Sequence, residues 1–414
     1  MKIINIPRRF TRDEWGGTET VLLETCRRLL GAGHEAEIFT PRALCPTPEE
    51  LISGVPVRRF SYFYPFFGMD AAARRQMDKK GGNLFSFSLM RALNRAKDLD
   101  MIHLHTLKRL GGIARKVARR RGIPYVISLH GGHYDVPEEE FADVVAPLKG
   151  TVEWGRLLGL WVGSRRVLDD ADAILCVGDE ERRLTQDKFP EKRVEFLPNG
   201  VDTRRFASGD GAGFRRRFNI PGNARVLLTV GRIDPQKNQL AAVQALENLK
   251  GEHPDLHLLL IGHVTNARYL EEIRARVEAG GLEESVTIIE GLDGLTGDIV
   301  DAYHAADIFM LPSVHEPFGI VILEAWAAGL PVAAARVGGV PAFVEDGENG
   351  LLFDPTRPAD FTGVLGLLVG DRSLGDRLAP AGRRTVREEY DWTRVTERLI
   401  RIYEEVIHEH SLRQ

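Results

Sequence analysis

Cysteine is scarce: three in 414 residues, Cys26, Cys45 and Cys176, odd in number, widely spaced and part of no CxxC or Cys/His cluster. That excludes a disulfide framework and a structural zinc site, and it fits a reducing compartment. Long apolar runs are missing as well. The longest, residues 320–335, is interrupted by Glu324, Gly329 and Pro331 and falls short of the roughly 20 residues that span a bilayer. The opening run through Ile6 stops at Pro7-Arg8-Arg9, too early for the core of an export signal, so a cytoplasmic protein is expected. Net charge is only −4, which argues against a dedicated nucleic-acid binder. GxGxxG does not follow the first apolar run, which disfavours hydride chemistry on a dinucleotide.

What is there is globular. With 43% hydrophobic and 28% charged residues the chain can fill real cores, and at about 150 residues per domain its length makes two or three of them. Charge is uneven: 32 Lys and Arg against 27 Asp and Glu in residues 1–200, then 23 against 32 in 201–414. Lys2 to Ile6 reads as a buried strand, Trp15-Gly16-Gly17-Thr18 closes a polar loop, Val21, Leu22, Thr25, Leu29 and Leu30 recur at helical spacing, and 36–39 is a second strand. Strands at 101–105, 125–129, 173–177 and 194–197, with a helix at 112–121, continue this βαβ alternation. Pro198-Asn199-Gly200 and the small polar stretch 207–213 break it. Strands at 226–230, 257–261, 286–289, 308–311 and 331–334 form a second series. The pattern predicts an α/β protein with two doubly wound parallel sheets in tandem. Residues 1–203 form the first domain and 204–392 the second, and an amphipathic helix at about 393–414 returns to the first.

Chemistry concentrates in four places. His315-Glu316-Pro317-Phe318-Gly319-Ile320-Val321-Ile322-Leu323-Glu324 sets two carboxylates eight residues apart, Glu316 in a loop and Glu324 one to two turns into the next helix. Between them the amides of Phe318, Gly319, Ile320 and Val321 form a helix N-terminus that favours an anion. Carboxylates for hydroxyls and amides for phosphate are what a nucleotide sugar needs; a solvated loop acid and a surface helix acid are the plainer alternative. Gly231-Arg232-Ile233-Asp234-Pro235-Gln236-Lys237 offers a forked and a mobile cation for a diphosphate, or an ordinary basic loop. Gly16 and Gly17 can let backbone close over a phosphate, or make a tight turn. His130, before Gly131-Gly132, stands at the carboxyl end of a strand, where open α/β sheets bind ligands.

These segments, in this order and with Ala171-Asp172-Ala173 and Pro198-Asn199-Gly200-Val201-Asp202, resemble the retaining glycosyltransferases of family 4 over essentially the whole chain. The resemblance implies the GT-B architecture, two Rossmann-like domains facing a central cleft, the first for the acceptor and the second for the nucleotide sugar. It implies transfer of a hexosyl group from a nucleoside diphosphate sugar to a hydroxyl of a saccharide or lipid-linked acceptor, with no metal and no cofactor besides the donor. By the same resemblance Glu316 contacts donor-sugar hydroxyls, Glu324 the ribose, Arg232 and Lys237 the diphosphate; His130 sits beside the reacting sugar, and the Gly16-Gly17 loop covers the diphosphate. Domain closure is expected, with hinges near 198–213 and at Asp391-Trp392-Thr393.

Two departures stand out. Val264 occupies a position where the family often has glycine, in the base-binding region, and Gly178 replaces a frequent serine, which alters a local cap. Asp98-Leu99-Asp100 and Asp170-Ala171-Asp172 match a DxD metal pattern, but both precede strands and read as solvated strand starts. The run Arg58-Arg59-Phe60-Ser61-Tyr62-Phe63-Tyr64-Pro65-Phe66-Phe67 and the basic end of the 112–121 helix have two readings. They seat the first domain on the inner face of a membrane, or they fill its core and line a sugar cleft. The rival functions are a phosphorylase or epimerase on the same architecture, and a non-catalytic sugar-binding or transferase-partner protein.

Overall fold

A computed structural model of the chain describes residues 1–12, 15–131, 150–292 and 297–413. The chain divides into two compact units, residues 1–198 with 395–414, and residues 199–394.

The first unit is built on an eight-stranded sheet. Its strands are β1 (Lys2–Ile6), β2 (Glu35–Pro41), β3 (Glu49–Ile52), β4 (Val55–Phe60), β6 (Met101–Leu104), β7 (Tyr125–Leu129), β9 (Ala173–Cys176) and β10 (Val194–Phe196). They run in the order β10-β9-β7-β6-β1-β2-β4-β3, parallel except for the β3–β4 hairpin at the edge. β5 (Phe66–Phe67) and β8 (Val152–Glu153) pair as a separate small ribbon. Helices α1 (Gly17–Gly31), α2 (Ala71–Lys80), α3 (Phe87–Arg95), α4 (Lys108–Arg121), α5 (Arg156–Val162) and α6 (Asp179–Lys188) connect the strands. β1, β6, β7 and β9 are buried almost throughout, as strands covered on both faces must be. The glycine segment differs from its reading as a loop: α1 already begins at Gly17, with bare Gly16 as its N-cap and Glu19 in its first turn, where a carboxylate favours the positive helix end.

The second unit is a six-stranded, wholly parallel sheet of β11 (Arg225–Val230), β12 (Leu256–Ile261), β13 (Val286–Ile289), β14 (Ile308–Leu311), β15 (Val332–Ala335) and β16 (Leu351–Phe353), ordered β13-β12-β11-β14-β15-β16. Its helices are α7 (Gly211–Arg217), α8 (Gln239–Lys250), α9 (Ala267–Ala279), α10 (Asp298–His304), α11 (Ile320–Ala328), α12 (Pro358–Gly370) and α13 (Arg372–Glu389). The three-residue β16 was too short to read from periodicity. Residues 199–203 and 390–393 are laced together: Val201 N donates to Tyr390 O at 2.9 Å and Trp392 N to Val201 O at 3.1 Å. A Cβ at Gly200 would lie 2.6 Å from the Trp392 indole, so the Asn199-Gly200-Val201 turn requires its glycine for packing.

The last helix, α14 (Trp392–Leu412), belongs from Val395 onward to the first unit. Val395, Leu399, Ile402, Tyr403 and Val406 form its buried stripe, the i, i+4, i+7 spacing of an amphipathic helix. Among the described residues no helix is long and apolar enough to cross a membrane.

Candidate functional site

In the second unit the loops at the carboxyl ends of β11 and β14 clasp each other. Val314 N donates to Gln236 O at 2.9 Å and Gln236 Nε2 to His315 O at 3.3 Å. That clasp brings Lys237 Nζ onto Glu316 Oε2 in an ion pair with both side chains largely buried. Arg232, half exposed, donates to Gln236 Oε1 at 2.9 Å and lies 3.4 Å from Asp234. Asp234 in turn accepts from Lys237 N at 3.1 Å and from the Thr265 hydroxyl at 3.1 Å. Both cations expected at a diphosphate therefore converge on this edge of the sheet, each already on an anionic or amide partner.

Glu316 leads directly into α11. Gly319, its N-cap, sits at φ +96°, and no side chain caps the helix, so the first-turn amides at Ile320 and Val321 point outward without a protein acceptor of that kind. A residue with a Cβ would be strained at that φ. The Phe318 ring is buried and stacks on Phe343 at 5.2 Å, leaving its backbone as the part that can serve a ligand. Glu324 lies four residues beyond Ile320, about 6 Å farther along the axis. It is partly buried and accepts from the Tyr303 hydroxyl at 2.7 Å. Burial raises the Glu324 pKa above the ordinary carboxylate range, while the Tyr303 bond and the Arg205 charge pull it down.

Sequence reasoning missed two parts of this arrangement. Tyr303, an aromatic at the end of α10, holds Glu324, and a single tyrosine gives no signal of that. Gly338 and Gly339, just after β15, wrap the Glu316 backbone: Gly339 N donates to Glu316 O at 3.0 Å. A Cβ at Gly338 would lie 2.2 Å from Glu316 O, and one at Gly339 2.3 Å from Pro317 O. This Gly-Gly pair after a strand was legible in the same way as Gly16-Gly17.

In the first unit a cavity of about 400 Å³ opens at the carboxyl ends of β1, β6 and β7, with Arg8, Arg9, Thr18, Glu19, His105 and His130 among its lining residues. His130 Nε2 and His105 Nδ1 lie 3.0 Å apart, and His105 Nε2 lies 3.2 Å from Asn5 Oδ1. With Asn5 Oδ1 as an acceptor, His105 is protonated on Nε2, so its Nδ1 accepts and His130 Nε2 donates. His103 sits beside them, its Nδ1 2.6 Å from the Tyr403 hydroxyl and its Nε2 2.7 Å from Ser128 Oγ. Burial lowers the His130 pKa to about 4 and that of His103 to about 3, and drives His105 well below its ordinary value. His130 is thus neutral and held by its neighbours at physiological pH.

Gly16 O accepts from Thr20 N at 3.1 Å, Gly17 is exposed, and Thr18 shares the cavity with His130. Gly132 lies outside the described residues. Arg8 donates to Asp78 O at 2.8 Å and Lys79 O at 3.0 Å, and Arg9 pairs with the buried Glu19 at 3.2 Å. Three of the four DxD aspartates are engaged elsewhere: Asp100 accepts from Lys2 N, Asp170 is gripped by Arg115, Arg119 and Arg166, and Asp172 meets His410 and Tyr125 N. Asp98 is exposed, whereas Asp170 and Asp172 are largely buried in these pairs and are not the solvated strand starts that their place in the sequence suggested. Arg59 is fully buried against Phe10 O and Glu50, and Tyr62 and Tyr64 donate to Asp78. Most of the aromatic run therefore packs inward, and Arg59 and Arg115 form no free basic surface.

Two units built on parallel sheets in one chain, each with its polar groups at the carboxyl ends of the strands, have the GT-B architecture. Residues 15–205 match the profile described as Glycosyltransferase Family 4, and residues 212–385 that of Glycosyl transferases group 1. The chain is 31% identical to the D-inositol 3-phosphate glycosyltransferase of Salinispora tropica, covering 96% of this chain and 83% of the relative. It is 30% identical to that of Stackebrandtia nassauensis, over 95% and 87%. Among solved structures it superposes on sucrose-phosphate synthase from Thermosynechococcus elongatus with a TM-score of 0.74 at 20% identity, covering 99% and 100%. Anabaena HepE in complex with UDP gives 0.73 at 19% identity, covering 98% and 100%. The chain belongs to the family 4 glycosyltransferases and is an enzyme of that class.

Proposed function

We propose that the second unit binds a nucleoside diphosphate sugar, the first unit binds the acceptor, and a hexosyl group passes to an acceptor hydroxyl with retention at the anomeric carbon and without a metal. The observation that carries this reading is the Lys237–Glu316 pair at the amino end of α11. An arriving diphosphate takes the Lys237 ammonium, and the released Glu316 carboxylate accepts from sugar hydroxyls. Arg232 and the amides from Phe318 to Val321 complete the cradle, and Glu324 takes the ribose hydroxyls. The bond from the anomeric carbon to the diphosphate oxygen breaks as the acceptor oxygen bonds on the same face, and the acceptor proton goes to the departing phosphate. Negative charge grows on that phosphate, so the cations and amides lower the barrier instead of only tightening binding. His130 is assigned to holding the reacting sugar; its lowered pKa keeps it neutral, which suits it to hydrogen bonding and not to taking up a proton.

The neighbour from Anabaena is described with UDP and with UDP-glucose, and the relatives are named for D-inositol 3-phosphate. UDP-glucose and D-inositol 3-phosphate are therefore the first donor and acceptor to try, with saccharide and lipid-linked acceptors beside them. A thermal-shift screen of UDP, GDP and ADP sugars, followed by transfer with and without EDTA and NMR of the product anomer, tests the reading. An inverted product, or loss of activity in EDTA with rescue by Mn²⁺, would overturn the corresponding part.

A further inference from the structure

Among the described residues the first unit carries an apolar face that its own core leaves uncovered. Phe67 on β5 and Val152 on β8 are exposed. Trp154 stacks on Phe63 with ring centres 5.9 Å apart and reaches Phe67 at 6.0 Å, and Phe63 stacks on exposed Phe87 at 5.9 Å. Beneath them Phe85 stacks on Trp161 at 6.2 Å. Helix α5 prolongs the face. Its Leu158 and Val162 turn to the core, while Leu157 and Leu160 leave 76% and 69% of their surface to solvent, with half-exposed Trp161 beside them. Scattered exposed leucines are ordinary, but large apolar side chains joined ring to ring mark an interaction surface.

The rim of this face is basic. α4 packs against both α3 and α5, and α3 and α4 together hold nine lysines and arginines and no aspartate or glutamate. Arg91, Arg95, Arg119 and Arg120 are exposed on them, and Arg156 and Arg165 stand exposed at the two ends of α5. Lys116 Nζ lies 4.8 Å from the Trp161 ring centre and donates to Trp161 O at 3.2 Å. Of the nearby acids, Glu153 is taken up by Arg109, with the exposed Arg156 3.9 Å from its other oxygen, and Asp170 by Arg115, Arg119 and Arg166; Asp169 stays exposed.

We propose that this face seats the first unit on an anionic phospholipid surface. Leu157, Leu160, Trp161, Trp154, Phe67 and Phe87 enter the boundary between headgroups and acyl chains, and Lys116, Arg91, Arg156 and Arg165 meet lipid phosphates. Indoles next to cations are the side-chain pairing that the membrane interface favours. A second copy of this chain is the poorer occupant, because it would bring the same cations against these. The surface overlaps the one the sequence pointed to in Phe67, Lys116, Arg119 and Arg120, but Arg59 and Arg115 are spent internally, and α5 adds Leu157, Leu160 and Trp161 to it.

Vesicle flotation of the full chain tests this. Binding is expected to vesicles of phosphatidylcholine with about one third phosphatidylglycerol, not to phosphatidylcholine alone, and to fall about tenfold between low and high salt. The paired change Leu157→Asp and Trp161→Asp is expected to cut binding at least about tenfold, with Tm and nucleotide-sugar binding unchanged. Arg156→Glu with Arg165→Glu should remove the preference for anionic vesicles. Equal flotation of the variants, or equal binding to neutral vesicles, would overturn the proposal. So would a dimer that the Leu157/Trp161 pair dissolves. A drop in Tm of more than about 5 °C in that pair would show a face covered by the chain itself, and would count equally against it.

Discussion

Lys237 and Glu316 neutralise each other at the edge of the second sheet, held there by the clasp between Gln236 and residues 314–315. On the proposed reading, this pair turns donor binding into an exchange of partners. Glu316→Gln frees the ammonium, so nucleoside diphosphate alone should bind a few-fold tighter while turnover falls by about 100-fold, because the sugar loses its orienting carboxylate. Calorimetry of the diphosphate beside initial rates would check both halves. Weaker diphosphate binding in this variant would show that Lys237 does not serve the phosphates.

Arg232 and Lys237 should separate in stability though not in catalysis. Arg232 is half exposed, and Arg232→Ala should leave Tm unchanged while costing turnover about 100-fold, the loss typical of one preorganised donor. Lys237→Ala should cost turnover similarly and lower Tm as well, since Glu316 is left buried without its counter-ion. Equal melting curves would place Glu316 in water.

Tyr303 tunes Glu324. Its hydroxyl bond works against the upward push of burial, so in Tyr303→Phe the carboxyl should keep its proton to higher pH. Nucleotide-sugar affinity that depends on an ionised Glu324 would then begin to weaken, as pH falls, at a higher pH than in the parent. Titrating Kd between about pH 5 and 8 reads this shift directly. Overlapping profiles would mean that Glu324 does not accept from the ligand.

The histidines of the first unit predict an acid limit to stability. Burial holds His103 at about 3 and His130 at about 4, below the ordinary 6.5. The unfolded chain therefore binds more protons between those values and 6.5, so the stability of keeping these rings neutral is full above about pH 6.5 and is lost as pH falls towards 4. Each such proton contributes a slope of up to about 1.4 kcal/mol per pH unit. Denaturant melts across this range should show the decline, and His103→Gln, which can still meet Tyr403 or Ser128, should flatten it. An unaltered slope would place the titration elsewhere.

Gly339→Ala should be far more damaging than an exposed glycine change. The added methyl carbon would fall 2.3 Å from Pro317 O, pushing the Glu316 loop outward, and displacement of that order at a reacting centre can cost about 100-fold in turnover. Gly363→Ala, where nothing stands within 4 Å, is the control. Parental kinetics in Gly339→Ala would mean that the loop yields without consequence.

Much of this protein follows from local sequence. Periodicity placed most of both series of parallel strands, because buried strands such as 226–230 and 257–261 are nearly continuous apolar runs, broken here by Thr229 and His257, whose identity does not depend on what covers them; β4 and the short β16 were not read. The candidate site's edge of the second sheet was legible as a place too, since Glu316, Gly319 and Glu324 sit in one segment and a helix N-terminus is a local structure. Partnership was not. That Lys237 lies on Glu316, Tyr303 on Glu324 and His105 on His130 comes from pairing β11 with β14, packing α10 on α11 and placing β6 beside β7, and each joins residues 21 to 79 positions apart. Aromatic residues in the sequence likewise read as core or surface alike. Only the tertiary structure decided that Phe60 and Tyr64 pack inward while Trp161 and Leu157 face out, because burial is set by which faces the finished sheet and helices cover, not by the hydrophobicity of a side chain.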